Sequence, residues 1–143
     1  MNIANILKTK GSHVVSVAPS DTVTAATGIL IREGVGAVVV RDAPGRVVGL
    51  LGERDIVRAV ARHGEAALQL EVDSVMMRDV SFCAPGDSVE SALQRMTDRR
   101  VRHLPVVDRG QLVGIISIGD LVKQRLADSE QEAEALRKYI ATG

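Results

Sequence analysis

The chain states one pattern twice. VGIISIGDLV at Val113–Val122 aligns without a gap on VGLLGERDIV at Val48–Val57, which sets Gly114 on Gly49, Asp120 on Asp55 and Leu121 on Ile56. Upstream, Pro85, Asp87 and Ser88 fall on Pro19, Asp21 and Thr22, and the helical face Val89, Ala92, Leu93, Met96 repeats Val23, Ala26, Thr27, Leu30. The two copies slip by one residue inside a turn, Asp42–Gly45 against Asp108–Gly110, where loops tolerate such changes. Duplication constrains the fold more than any composition does. Whatever one copy forms, the other must form, and a pseudo-twofold axis should relate them.

Each copy reads β-α-β-β-α. In the first, Val14–Val17 is a short strand, and Pro19 leads into a helix start where Ser20 or Asp21 can cap free N–H groups. Gly34 ends that helix, Ala37–Val40 and Val47–Leu51 are strands, and Glu53–Arg62 is the second helix, closed by His63-Gly64. A connector, residues 65–78, has a helical centre around Val72, Val75 and Met76. The second copy supplies Ser81–Cys83 as its short strand, then Leu104–Val107 and Leu112–Ile116. The fold class is α/β, with repeat one at about 9–64 and repeat two at about 79–126 of one module spanning 1–143. One sheet face of each copy would be left bare, so each should bury it against its twin.

Two segments lie outside the repeats. Asn2–Lys8 is a short amphipathic helix whose Ile3, Ile6 and Leu7 need cover from later residues. The last helix does not stop where its counterpart does: Leu121–Ile140 reads as continuous, with an extension at about 127–141. Val122, Leu126, Ala133, Leu136 and Ile140 keep 4-and-3 spacing through Ser129, a seam about three heptads long. It can lie back on its own domain or take a partner helix.

Charge and composition exclude more than they assign. Eighteen basic residues balance 18 acidic ones, and the chain has no Trp, one Tyr and one Phe, which removes the electrostatic field and stacking surface of a nucleic-acid binder. No run approaches a membrane span, and MNIANILKTKG lacks a signal-peptide core, so a cytoplasmic protein is expected. Cys83 is alone, and His13, His63 and His103 are too scattered for a metal site. Neither a phosphate loop nor a nucleophile–base pair is present, so no enzymatic activity is expected.

The motif Gly-x-x-Ser/Thr-x-x-Asp at Gly114–Asp120, its looser copy at Gly49–Asp55, and RHLPVVD at Arg102–Asp108 resemble the tandem cystathionine-β-synthase (CBS) domains of a Bateman module. The likeness covers about residues 3 to 126, and the chain looks like a stand-alone, bacterial-type member. It implies a non-catalytic sensor binding adenosine compounds in two clefts between the repeats, AMP foremost, with ADP, ATP, NAD or S-adenosylmethionine as alternatives. It also implies a homodimer packed as a flat CBS disc that passes a signal to an unidentified target protein. A structural dimer with empty clefts is the competing reading, and a nucleotide-processing enzyme a more distant one.

Residue by residue, the resemblance implies that Asp120 and Asp55 take ribose hydroxyls, for which an acceptor-only carboxylate is suited. Ser117 and Asp120 also have capping-box spacing, a role compatible with the first. Ser117, Arg102, His103 and Arg54 are the phosphate candidates, guanidinium forks matching phosphate oxygens. Gly52 replaces the serine in the first copy, and Gly36-Ala37 replaces Arg102-His103, so the two sites should be unequal. An adenine slot would draw on Ile116, Cys83 and Ala84 in one copy, and on Leu51, Val17 and Ala18 in the other.

Overall fold

The computed structural model describes residues 1–142, in the order α1 (Ile3–Lys10), β1 (Ser16–Val17), α2 (Val23–Glu33), β2 (Ala37–Arg41), β3 (Val47–Gly52), α3 (Glu53–His63), α4 (Val89–Arg99), β4 (His103–Asp108), β5 (Gln111–Ser117) and α5 (Ile118–Thr142). They form two compact units. One is His13–Val80; the other joins Met1–Ser12 to the chain from Ser81 onward.

In the first unit β1 pairs parallel to β2, and β2 pairs antiparallel to β3. The β-branched run Val38–Val40 has no exposed surface, as suits the middle strand of a three-stranded sheet. The helix start differs from expectation. Thr22 caps α2, its hydroxyl accepting from the Ala25 N–H at 3.1 Å, whereas the Asp21 carboxylate accepts from Ala18 N–H at 2.9 Å and pins the preceding turn. Ser88 and Asp87 divide the same two tasks in the other unit.

The second unit holds the β4–β5 hairpin, and its short strand is reduced to one parallel bridge, Cys83 opposite Val106. The duplication reaches down to irregularities: both hairpins break register at aligned valines, between Val40 and Arg41 and between Val106 and Val107.

The repeat also extends further upstream than sequence matching suggests. In the first unit Val72 N–H donates to Asp21 C=O at 2.8 Å and Asp73 N–H to Pro19 C=O at 2.9 Å. In the second, Ile3 N–H donates to Asp87 C=O at 3.0 Å and Ala4 N–H to Pro85 C=O at 2.9 Å. Ile3 is therefore the counterpart of Val72. Each copy's leading segment is built into the unit that the other copy forms: Val72 and Met76 complete one core, Ile3 and Ile6 the other. The connector is not a regular helix but two short 3-10 turns, Gly64–Gln69 and Val72–Ser74.

These swapped segments explain the aligned glycines. A Cβ at Gly49 would collide with the Met76 sulfur and stand 3.0 Å from the Met77 carbonyl oxygen, because Leu50 and Met77 exchange backbone hydrogen bonds. A Cβ at Gly114 would stand 2.7 Å from a Leu7 methyl. The glycine admits a neighbouring segment in both copies.

Candidate functional site

Each unit brings a strand, a helix N-terminus and one carboxylate together at a strand-to-helix junction. At the end of β5, Ser117 N–H donates to the Asp120 carboxylate at 2.8 Å, and Asp120 N–H donates to the Ser117 hydroxyl at 3.2 Å. This reciprocal pair closes the helix start. Lys10, from α1, lays its ammonium 2.6 Å from the same carboxylate and also reaches the Ile115 carbonyl at 2.9 Å. Partial burial pushes the Asp120 carboxyl up, but the Lys10 ammonium and the two bonds at Ser117 outweigh it and hold the group below its ordinary range. The anion is fixed yet still reachable, its side chain 25% exposed.

The β4–β5 ladder sets His103 directly opposite Ser117, and Ile118 N–H donates to the Arg102 carbonyl at 2.8 Å. Asp120, Ser117, Arg102 and His103 thus share one end of the hairpin, with the Arg102 side chain exposed and His103 half-buried. Lys10 is the member that sequence reasoning missed.

The first junction has the same frame and different furniture. Glu53 N–H donates to the Gly36 carbonyl at 3.1 Å, and Gly52 N–H to the Asp55 carboxylate at 2.8 Å. Gly52 has no hydroxyl to return the bond, so only half of the capping pair forms. Asp55 is more enclosed, 13% exposed, and its cation is Arg58 at 3.2 Å, from its own helix. Arg54, expected at this site, is exposed on the first turn of α3.

Asp55 also lines a hollow of about 170 Å³ between α3 and the connector, with Arg58, Ala59, Arg62, His63, Ser74 and Val75. That is smaller than a typical small-molecule pocket of about 300–1,000 Å³. Arg58, Arg62 and His63 follow Asp55 at helical spacing, a sequence signal available in principle. The aligned residues of the other copy are Lys123, Ala127 and Asp128, so the two junctions differ in charge as well as in capping.

The expected adenine slots are not assembled at these junctions. Ile116 and Leu51 have no exposed surface, and Cys83 and Val17 are buried in the two cores, where a ligand could touch them only by opening the packing. Register moves the short strands away as well. Gly52 pairs with Ala37, but Val17 pairs with Val40, three residues or about 10 Å further along the strand, and Ala18 lies beyond it. Cys83 pairs with Val106 and Ala84 follows it, displaced in the same sense from His103. Burial also pushes the Cys83 thiol up to about 12, with Asp87 adding to the shift, so it is no nucleophile.

Among the described residues, no group of His, Cys, Asp and Glu could hold a metal ion, and no helix is long and apolar enough to cross a membrane.

Comparison with known proteins identifies the fold and the family. The CBS domain family matches residues 6–62 and again 72–127. A crystal structure of a CBS-domain-containing protein from Agrobacterium tumefaciens is 44% identical and superimposes with a TM-score of 0.85, over 87% of this chain and 92% of that one. The CBS domain-containing protein YhcV of Bacillus subtilis (strain 168) is 31% identical over 126 residues, 88% of this chain and 89% of its own. The CBS domain pair of protein MJ0100, solved in complex with 5-methylthioadenosine and S-adenosyl-L-methionine, shares the fold at 21% identity and a TM-score of 0.79, over 90% of this chain and 98% of that one. With two matched domains spanning most of its length, the chain belongs to the CBS-domain family and carries the domain as a tandem pair.

Proposed function

We propose that this CBS pair is a non-catalytic sensor for an adenosine-containing ligand, AMP in preference to NAD or ATP. The two junctions serve as unequal receptors, with the one at Asp120 the tighter. The observation that carries the reading is the Asp120 carboxylate: held ionised by Ser117 and Lys10, partly exposed, and set at the same hairpin end as Arg102 and His103. A fixed acceptor suits vicinal sugar hydroxyls, and the adjacent Arg102 guanidinium suits a short charged tail. The adenosine ligands bound by the MJ0100 pair support the same ligand class here.

Melting curves of the purified chain with AMP, ADP, ATP, NAD, S-adenosylmethionine and 5-methylthioadenosine test this. A ligand binding only the folded state at about 100 times its Kd stabilises by about 2.7 kcal/mol, a shift of several degrees. AMP should raise the Tm most, and 5-methylthioadenosine, which lacks a phosphate, least. Unchanged melting with all six would dismiss the sensor reading.

A further inference from the structure

α5 runs 25 residues, and along it the seam anticipated in the sequence stays uncovered. Val122, Leu126, Leu136 and Ile140 are 46, 61, 59 and 69% exposed. Ala133 is half-buried. In heptad terms Leu126, Ala133 and Ile140 occupy a, and Val122, Ser129 and Leu136 occupy d. The flanking e positions are Lys123, Glu130 and Arg137, and the g positions Arg125, Glu132 and Tyr139.

We propose that α5 is a homodimerisation helix that pairs in parallel, in register, with α5 of a second copy. Charge selects this arrangement. In a parallel coil each g residue faces the e residue five positions on in the partner, which sets Arg125 against Glu130 and Glu132 against Arg137. Both pairs are attractive, and symmetry doubles them. An antiparallel pairing that uses all six a and d positions sets Lys123 against Arg137, Glu130 against Glu130 and Glu132 against Glu132, all repulsive. A slid antiparallel register restores opposite charges but places Leu136 against Gly119 and Ile140 beyond the start of the partner helix.

Within one chain Arg125 reaches Glu90 at 2.9 Å and Arg137 reaches Glu134 at 3.0 Å. Both are exposed pairs of the kind worth little, and each can be exchanged for a partner across the seam. The proposal does not depend on the nucleotide reading.

Sedimentation of the full chain across about a hundredfold dilution series should show a dimer of twice 15.2 kDa that dissociates on dilution. Leu136→Glu with Ile140→Glu should weaken the dimer about a hundredfold or more while leaving the fold intact, since both side chains are exposed in one chain. Charge reversal is more specific: Arg125→Glu with Arg137→Glu in one chain, and Glu130→Arg with Glu132→Arg in another, should each weaken self-association, and the two mixed should form a heterodimer. Ile140→Cys should cross-link to itself on mild oxidation, because parallel strands bring the two copies of that position together. A wild-type chain that stays monomeric throughout overturns the proposal and leaves the stripe to a different protein. A dimer indifferent to the Leu136 and Ile140 changes, or one in which Ile140→Cys fails to cross-link, places the contact elsewhere and overturns it equally.

Discussion

Two strand-to-helix junctions of common ancestry have been finished differently. At Asp120 the helix start is closed from both directions, and the neutralising charge, Lys10, comes from a segment 110 residues earlier. At Asp55 the start is closed from one direction, and the charge comes from Arg58, one turn along the same helix. The first arrangement ties three elements to one carboxylate; the second keeps its electrostatics within a single helix and beside the Arg62–His63 hollow. Backbone geometry was copied by duplication, whereas the side chains around each carboxylate were left free to diverge.

The largest expected effect breaks the backbone half of that comparison. Gly49→Ala meets the Met77 carbonyl and the Met76 side chain, and backbone cannot move aside cheaply, so a loss of about 3 kcal/mol is expected. Gly114→Ala meets only the flexible end of Leu7 and should cost about 1 kcal/mol. Chemical denaturation of both variants measures the difference; equal losses would mean that the swapped segments do not fit their cores as described.

Next comes the cap. Ser117→Ala removes the acceptor for Asp120 N–H and should cost about 1 kcal/mol. The same substitution at Gly52 removes no such bond, and there Gly52→Ala should move stability far less.

A pH profile isolates the charge. Because the folded Asp120 carboxyl titrates below its unfolded value, its contribution is present above about pH 4 and is lost as pH falls through the folded value. The pair with Lys10 is partly solvent-screened, so the contribution is of the order of 1 kcal/mol or less. Asp120→Asn should therefore be less stable than wild type at neutral pH and converge with it in acid. Parallel curves at all pH values would show that the carboxylate is not held as described.

Most of the architecture was legible because glycine, proline and acid recur at fixed intervals. Pro19, Asp21 and Asp55 each announce a turn or helix start, Gly49 marks the strand that leads into one, and each has its double. What stayed hidden depends on contacts far apart in sequence. Asn2-Ile-Ala-Asn5 and Glu71-Val-Asp-Ser74 share little composition, so only the backbone bonds to Asp87 and Asp21 reveal them as counterparts. Lys10 could not be paired with Asp120 before the swap was known. Leu51 and Ile116 were harder to read, because an apolar strand residue beside a functional motif looks the same whether it lines a pocket or fills a core; their burial puts these two in the cores.

The smallest effect sharpens the comparison by repair. A Cβ at Gly52 meets nothing closer than 3.6 Å, and the backbone there is extended, so Gly52→Ser fits and should add a few tenths of a kcal/mol by completing the capping pair. If a hydroxyl is what the first receptor lacks, the same change should also tighten ligand binding there.

Calorimetric titration of AMP into wild type and Asp120→Ala is the most direct measurement. Two events of unequal affinity are expected for wild type, with the tighter one absent from Asp120→Ala and the weaker one kept. An unaltered isotherm in the variant, or the loss of the weaker event alone, would contradict the assignment of the stronger receptor to Asp120.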